Sequence, residues 1–205
     1  MDLRTCAKAF RAQKPMEDID PAWKQFMNGM GLPPVGFDLP HPQAPVFTYL
    51  IDNKCPTLYA DEHFVVFLNS GLPYPELDPR AGMSLVHLMA CPRERIYSAR
   101  TLEPGDDKLL EHMRRTMTSL MDDRDFREKA LRALDAKMAG VDHPAYTHDK
   151  NIFLDHVDDT KMSYWFHDDP SVGHLHMHCI QDTLRTSRVH DKRNVPYEEV
   201  VKRCA

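Results

Sequence analysis

The chain has 205 residues, a formal net charge of −5 at pH 7 and a hydrophobic content of 42%. This length and composition suit one folded domain with extensions. A pI near 6.2 and the even spread of Lys and Arg argue against a long nucleic acid as partner, because such a partner requires a concentrated basic surface. A small charged ligand is more compatible with this charge.

The cysteines and the apolar runs bear on the compartment. The five cysteines are odd in number and form no CxxC motif, which argues against a disulfide framework or a zinc knuckle. No apolar run approaches the roughly 20 residues of a membrane span, and no signal-peptide core is present. We therefore expect a cytoplasmic protein, with the nucleus as the alternative, and no membrane partner. Residues 1–14 are basic enough for a weak presequence, but a solvated helical arm is the preferred interpretation.

Residues 1–45 are predicted to form an N-terminal helical arm and a linker. A helix is expected to start at Asp20, with Asp as the N-cap and proline in the first position, and to end near Gly29 or Gly31. Residues 32–45 contain five prolines, which is typical of a stiff extended linker. The catalytic domain is then expected over residues 46–205.

Short apolar segments bounded by polar turns predict the first strands of a sheet. These segments are 47–51, 57–60 and 64–68. The nearly continuous apolar run 83–90 predicts a central buried strand. We interpret His87 within this run as a core histidine whose nitrogens are satisfied by the chain itself.

Apolar residues at spacings of three and four predict two consecutive helices. Pro104 and the acidic pair Asp106–Asp107 open the first helix. Its apolar face comprises Leu110, Met113, Met117, Leu120 and Met121. The second helix has apolar positions from Phe126 to Met138 and closes at Gly140. Further along, residues 161–167 and 173–180 predict an antiparallel hairpin, and 197–201 predict a short helix.

Three histidines alternate with apolar residues at His174, His176 and His178. On a strand these rings share one face, whereas Leu175, Met177 and Cys179 share the other. Neutral imidazoles can attack phosphorus, transfer protons or bind a metal. A metal site usually adds an acidic ligand, but Asp182 lies past the strand end. We therefore favour nucleophilic attack on phosphorus and keep a His-cluster metalloenzyme as an alternative.

Residues 174–180 resemble the alternating signature of the histidine triad (HIT) superfamily of nucleotide hydrolases and transferases. Residues 167–174 are similar to the H-x-x-P-S-x-x-H spacing of its scavenger mRNA-decapping branch. Residues 91–102 resemble the strand-to-helix connection of the same branch. The resemblance covers about residues 46–200.

The resemblance implies an α+β fold with an antiparallel sheet of about five strands and one long helix. The second helix is then part of an insertion at about 123–158, in which 143–148 and 155–159 are interpreted as solvated loops. HIT domains usually pair, so we expect a homodimer in which the arm crosses the partner's site. The Met-rich face of residues 110–121 is expected to provide surplus apolar surface for this pairing.

The resemblance also implies a two-step nucleotidyl transfer at the triad. His176 attacks the phosphorus attached to the nucleoside, and water hydrolyses the resulting phosphohistidine. His174 and His178 contact the phosphate and hold the tautomer of His176, and Ser171 offers a hydroxyl to the phosphate or the leaving group. No metal or cofactor is required, because imidazolium and backbone donors can carry the developing charge.

Two further residues are implied to bind the substrate. His167 matches a phosphate contact of the decapping branch, and Asn69 matches the residue that holds the ribose hydroxyls. Turn capping is the alternative role for Asn69 and Ser171. The implied substrate is a small nucleotide: a cap dinucleotide, a dinucleoside polyphosphate or a nucleoside phosphoramidate. A nucleotide-binding module with little turnover is the other functional class.

The sequence departs from the decapping branch where that branch recognises the methylated base. Val46 and Pro56 stand where cap scavengers place a Trp and an acidic residue. The loss of the stacking ring predicts a weak preference for the methylated cap. Trp23 and Phe47 are candidate replacements for that ring.

Overall fold

The computed structural model describes residues 3–12, 46–69, 71–78, 81–155, 162–168, 173–190 and 192–204. The helix predicted from Asp20 and the proline-rich linker fall outside this part of the chain. In the described ranges, no helix is long and apolar enough to cross a membrane.

Helices and strands occur in separate runs along the described chain. The helices are α1 (Leu3–Arg11), α2 (Val46–Asp52), α3 (Asp107–Asp122), α4 (Arg124–Lys137), α5 (Tyr146–Leu154) and α6 (Tyr197–Val201). The strands are β1 (Tyr59–Ala60), β2 (Phe64–Leu68), β3 (Leu88–Pro92), β4 (Met162–His167), β5 (Met177–Gln181) and β6 (Asn194–Pro196).

The strands form one antiparallel sheet in the order β1-β2-β3-β5-β4-β6. The α+β class and the hairpin of β4 and β5 are confirmed. Six strands replace the expected five or so, and the short β6 was not predicted. Because β5 lies between β3 and β4, His178 lies in the middle of the sheet.

One face of the sheet packs against the insertion and α3. Leu110, Met113 and Met117 on α3 are each 0% exposed, and they pack in the same core as Met177 and Cys179 of β5. Burying a methionine side chain contributes roughly 1.5–3 kcal/mol. The Met-rich face therefore packs in the core of the chain itself. The prediction that it provides surplus apolar surface for dimerisation is wrong. The homodimer remains a prediction without that support.

The insertion is more ordered than the sequence suggests. Residues 143–148 were expected to be a solvated loop, but α5 begins at Tyr146. The helix forms because Phe153 is fully buried in the shared core, a tertiary contact that overrides a weak helical pattern. The buried guanidinium of Arg127 joins the three helices by donating to Met121 O and Leu154 O. Of the second expected loop, only Asp155 is described.

One predicted strand near the site is wrong, and another begins later than expected. Residues 47–51 form α2, because Phe47, Leu50 and Ile51 at helical spacing pack together on the sheet. The run 83–90 enters the sheet only at Leu88. The preceding residues instead bond to 184–186, where Ser84 and Arg185 form an isolated bridge, and Ser84 Oγ donates to Val86 O at 2.8 Å.

Helix α1 is docked on the chain and is not solvated. Phe10 is 3% exposed and lies edge-on to Tyr97, with ring centres 5.9 Å apart. Arg11 pairs with Glu94 at 3.0 Å and with Asp106 at 3.3 Å. The described start of the predicted arm therefore packs against residues 94–106 of the same chain.

Candidate functional site

The site lies on the sheet face opposite α3. His178 is on β5, and His176 directly precedes that strand. Their ring centres are 4.8 Å apart, and the ring of His167 on β4 lies 4.2 Å from that of His178 and 5.7 Å from that of His176. The structure thus brings three of the predicted site histidines together, with Met177 and Cys179 in the opposite core.

His176 is held in one tautomer by the backbone. Its Nδ1 lies 2.7 Å from the carbonyl oxygen of His174, which only accepts, so Nδ1 carries the proton and Nε2 carries the lone pair. Burial lowers the pKa of His176 to about 4. The ring is therefore neutral at pH 7, which is the nucleophilic form of imidazole.

A hydrogen-bond chain fixes the tautomer of His178. The backbone N–H of Met83 donates to His87 Nδ1 at 3.2 Å, so His87 carries its proton on Nε2. His87 Nε2 then donates to His178 Nδ1 at 2.7 Å. His178 must carry its own proton on Nε2, and this buried nitrogen has no hydrogen-bond partner in the described part of the chain. It is a donor available to a ligand.

His87 and Gly82 form the outer end of this chain. His87 is buried and both of its nitrogens are bonded, as expected for a core histidine, but one partner is a histidine of the triad. A Cβ on Gly82 would lie 2.6 Å from both Cβ and Nδ1 of His87. Only glycine therefore allows this close approach. The sequence interpretation predicted the burial of His87 and missed its link to His178.

His174 occupies a different environment from the other two triad residues. It lies before β5, where Leu175 N–H donates to Ile96 O rather than to a strand. Its Nε2 donates to Pro92 O at 2.8 Å, and its Nδ1 accepts from the Thr48 hydroxyl at 2.8 Å. Both ring nitrogens are thus occupied within the chain. The His174 ring therefore has no nitrogen left for the phosphate contact that the family resemblance implied.

The remaining predicted residues are placed as follows. The backbone N–H of Asn69, at the end of β2, donates to His87 O at 2.8 Å, so Asn69 lies beside the hydrogen-bond chain. Lys137 of α4 donates to the Asn69 carbonyl. Ser171 falls outside the described residues.

An aromatic side chain from α2 covers His176. The ring centre of Phe47 lies 4.8 Å from that of His176 and 6.0 Å from that of Phe67. Val46 starts α2, and Pro56 is exposed in the loop that follows the helix. Trp23, the other candidate stacking residue, lies outside the described residues.

The electrostatics of the site favour an anionic ligand. Burial is the main cause that lowers the pKa values of His178 and His87, to about 3 for His87. Charge interactions with His167 and His176 come next, and smaller contributions come from Arg193 at His178 and from Lys137 at His87. Neutral imidazoles flanked by these cations provide nitrogen donors and a positive field together.

The same cluster offers three potential metal ligands. One nitrogen from each of His167, His176 and His178 lies within 4.8 Å of the others, and three histidines can hold a zinc ion. The hydrogen-bond chain opposes this use, because His178 presents an N–H where a metal requires a lone pair. A metal at this site would require His87 and His178 to exchange tautomers.

A comparison with protein families agrees with the family that the histidine triad indicates. Residues 45–193 match the family model described as scavenger mRNA decapping enzyme C-term binding. A search of curated proteins found no match.

Among solved structures, "Hnt3 in complex with DNA and guanosine" is 13% identical with a TM-score of 0.37, covering 78% of this chain and 76% of that one. The aprataxin ortholog Hnt3 from Schizosaccharomyces pombe is 15% identical with a TM-score of 0.30, covering 69% of this chain and 58% of that one. These likenesses are too weak to support an argument about function. The family match spans most of the chain, and the chain therefore belongs to the scavenger decapping C-terminal family of HIT proteins, which process or bind nucleotides.

Proposed function

We propose that the chain is a nucleotide hydrolase that cleaves a phosphoanhydride or phosphoramidate bond through a covalent intermediate on His176. The observation that carries this proposal is the 2.7 Å hydrogen bond from His176 Nδ1 to the His174 carbonyl. It leaves the Nε2 lone pair of a neutral imidazole for attack. Residues 46–205 are proposed as the catalytic domain.

In the first step, His176 Nε2 forms a bond to the phosphorus attached to the nucleoside. The bond from phosphorus to the leaving oxygen or nitrogen breaks, and the leaving group takes the electron pair. His178 Nε2–H donates a hydrogen bond to the phosphoryl group as charge develops there. The phosphorylated ring of His176 becomes cationic, and the His174 carbonyl stabilises it through Nδ1–H.

In the second step, water attacks the phosphorus and the bond to His176 Nε2 breaks. The ring leaves as neutral imidazole, and the proton of the water passes to solvent or product. Two easier displacements thus replace one difficult one. The products are a nucleoside monophosphate and the released group, and neither step requires a metal or cofactor.

Neighbouring side chains have proposed binding roles. The half-buried ring of His167 is close enough to both catalytic rings to contact the same phosphate. Asn69 is proposed to hold the ribose, and Phe47 is proposed to pack against His176. The proposed substrates remain cap dinucleotides, dinucleoside polyphosphates and nucleoside phosphoramidates. Long nucleic acid is not a proposed partner, and the homodimer and the cytoplasmic location are retained as proposals.

A trapping experiment tests the covalent step. The protein is mixed with a panel of these nucleotides, quenched within one turnover and digested for mass spectrometry. We expect a nucleotidyl adduct on the peptide that contains His176. His176→Ala should lose the adduct and lower kcat by about 10³-fold or more, whereas His148→Ala, at an exposed helical position, should behave as the wild type. Turnover by His176→Ala at the wild-type rate would refute the assignment.

Chelation separates this mechanism from the metalloenzyme alternative. We expect wild-type kcat to survive exhaustive treatment with a chelator. Loss of activity and its recovery with Zn²⁺ or Mn²⁺ would instead assign His167, His176 and His178 as ligands.

A further inference from the structure

Thr48 is a buried side chain that no motif of the sequence singles out. It is 1% exposed, and its hydroxyl lies 2.8 Å from His174 Nδ1. Its helix is fixed at both ends. Phe47 packs in an apolar cluster on the sheet, and Asp52 pairs with Arg95 at 2.6 Å. The hydroxyl is therefore presented to His174 from a well-anchored helix.

The direction of this hydrogen bond follows from the other side of the ring. Pro92 has only a carbonyl to offer, so His174 Nε2 must be the donor at 2.8 Å. A neutral His174 then has a lone pair on Nδ1, and Thr48 is its donor. Without the hydroxyl, this buried nitrogen would lose its partner, which destabilises the arrangement.

The anchorage matters because of where His174 lies in the chain. Strand pairing begins only at Met177, so the His174 peptide group is not held by the ladder of β5. The ring of His174 is held instead between Thr48 on α2 and Pro92 at the end of β3. The ring of Phe10 adds an edge contact, with centres 5.5 Å apart at 89°. The peptide group between His174 and Leu175 is held at its N–H by Ile96 O at 2.7 Å, and the His174 side chain is the second anchor that sets where the carbonyl of the same peptide points.

We propose that Thr48 is a positioning residue that keeps the His174 carbonyl aimed at Nδ1–H of His176. The proposal rests on the nucleophilic role of His176 given above. Thr48 touches neither the substrate nor the reacting atoms. Its effect on the reaction passes through His174 to the tautomer and orientation of the nucleophile.

Three variants test the proposal by their kinetics. Thr48→Val keeps the shape and removes the hydroxyl, and we expect kcat to fall about tenfold with KM changed less than twofold. Thr48→Ser restores the hydroxyl and should return kcat to within about twofold of the wild type. Thr118→Val is the matched control, because it removes a 2.7 Å hydroxyl contact to Tyr164 on the other side of the sheet. A wild-type kcat in Thr48→Val, or failure of Thr48→Ser to restore it, would overturn the proposal.

A second measurement does not depend on turnover. The ¹⁵N signals of the His174 ring report which nitrogen carries the proton and whether the other one accepts a hydrogen bond. We expect the Nδ1 signal to shift in Thr48→Val and to return in Thr48→Ser, even if no nucleotide is hydrolysed by the wild type. An unchanged Nδ1 signal in Thr48→Val would remove the hydrogen bond on which the proposal depends. If Thr48→Val does not fold, Thr48→Ala provides the same comparison.

Discussion

The two histidines that flank His176 are equivalent in the sequence and different in the structure. His174 gives both ring nitrogens to the chain, one to Pro92 and one to Thr48. His178 receives one hydrogen bond from His87 and keeps a buried N–H without a partner among the described residues. The first histidine is built into the scaffold, whereas the second is prepared for a ligand.

The difference comes from the neighbours of each residue rather than from the motif. His178 is paired in the strand ladder, with Met89 and Trp165 as its partners in register, so the sheet itself fixes its position. His174 lies before the ladder starts and is fixed by side-chain hydrogen bonds. A spacing of two therefore specifies which residues meet, and the surrounding donors and acceptors specify what each can do.

The largest expected difference is between the kcat values of the two variants that each lack one flanking ring. His178→Ala removes the donor to the phosphoryl group, and we expect kcat to fall by about 10²–10³-fold. His174→Ala keeps the backbone carbonyl and should cost kcat only about tenfold. It leaves Pro92 O and the Thr48 hydroxyl unsatisfied, so the free energy of unfolding should fall by roughly 1–3 kcal/mol.

Single-turnover kinetics and thermal unfolding of the two variants provide the measurements. His148→Ala again serves as the exposed control. Equal losses of kcat in His174→Ala and His178→Ala would contradict the division of roles between the two ends.

The hydrogen-bond chain behind His178 should have the next largest effect. His87→Phe keeps a ring of similar size but removes the donor that fixes the His178 tautomer, and we expect kcat to fall about 10–100-fold. Gly82→Ala should act in the same direction, because its Cβ would displace His87 without removing any nitrogen. A wild-type kcat in His87→Phe would show that the tautomer of His178 does not depend on this chain.

His87 also marks the limit of what the sequence could predict about the site. Its burial followed from its place in an apolar run, but its partner lies 91 residues away. Thr48 is 126 residues from His174 and lies in a segment predicted as a strand. Only the register of β3 against β5 and the position of α2 bring these pairs together. Gly82 lies five residues before His87 and allows its ring to approach closely. This role of the glycine could be recognised only once the packing was known.

The fold was more predictable where the apolar residues of an element lie on a single face. The alternation in β4 and the apolar spacing in α3 each match a single period, and both elements lie where the sequence placed them. Residues 47–51 contain aromatic and β-branched side chains that favour a strand, but the contacts of Phe47 with the sheet select a helix. The sequence of helix α5 shows almost no helical periodicity in its apolar residues. The sequence therefore did not predict this helix, which depends on the packing of Phe153 in the core.

Acid should destabilise the folded protein through the buried histidines of the site. Folding lowers the pKa of His174 and His176 to about 4 and that of His87 to about 3, from the ordinary value of about 6.5. The unfolded chain then binds protons that the folded chain excludes, so stability is lost as the pH falls from about 6.5 to 4. Three such groups together predict a fall in Tm of about 20 °C or more over this interval.

Calorimetry at half-unit pH steps would measure this change. His87→Phe should show a shallower slope, because it removes one of the buried histidines that must be protonated. A Tm that is constant from pH 6.5 to 4 would mean that folding does not lower the pKa values of these rings.

The smallest expected effect concerns base recognition, which neither flanking histidine controls. Val46 stands where cap scavengers place a stacking Trp, and Pro56, where they place an acidic residue, is exposed and has no acceptor on its side chain. Phe47 is an aromatic residue of α2, but its ring packs against the proposed nucleophile His176, with ring centres 4.8 Å apart. We therefore expect less than about a tenfold difference in kcat/KM between methylated and unmethylated cap dinucleotides, under roughly 1.4 kcal/mol. Competition between the two dinucleotides in one reaction measures this ratio, and Phe47→Leu should leave it unchanged. A strong preference for the methylated base that Phe47→Leu abolishes would instead assign Phe47 the stacking role of the missing Trp.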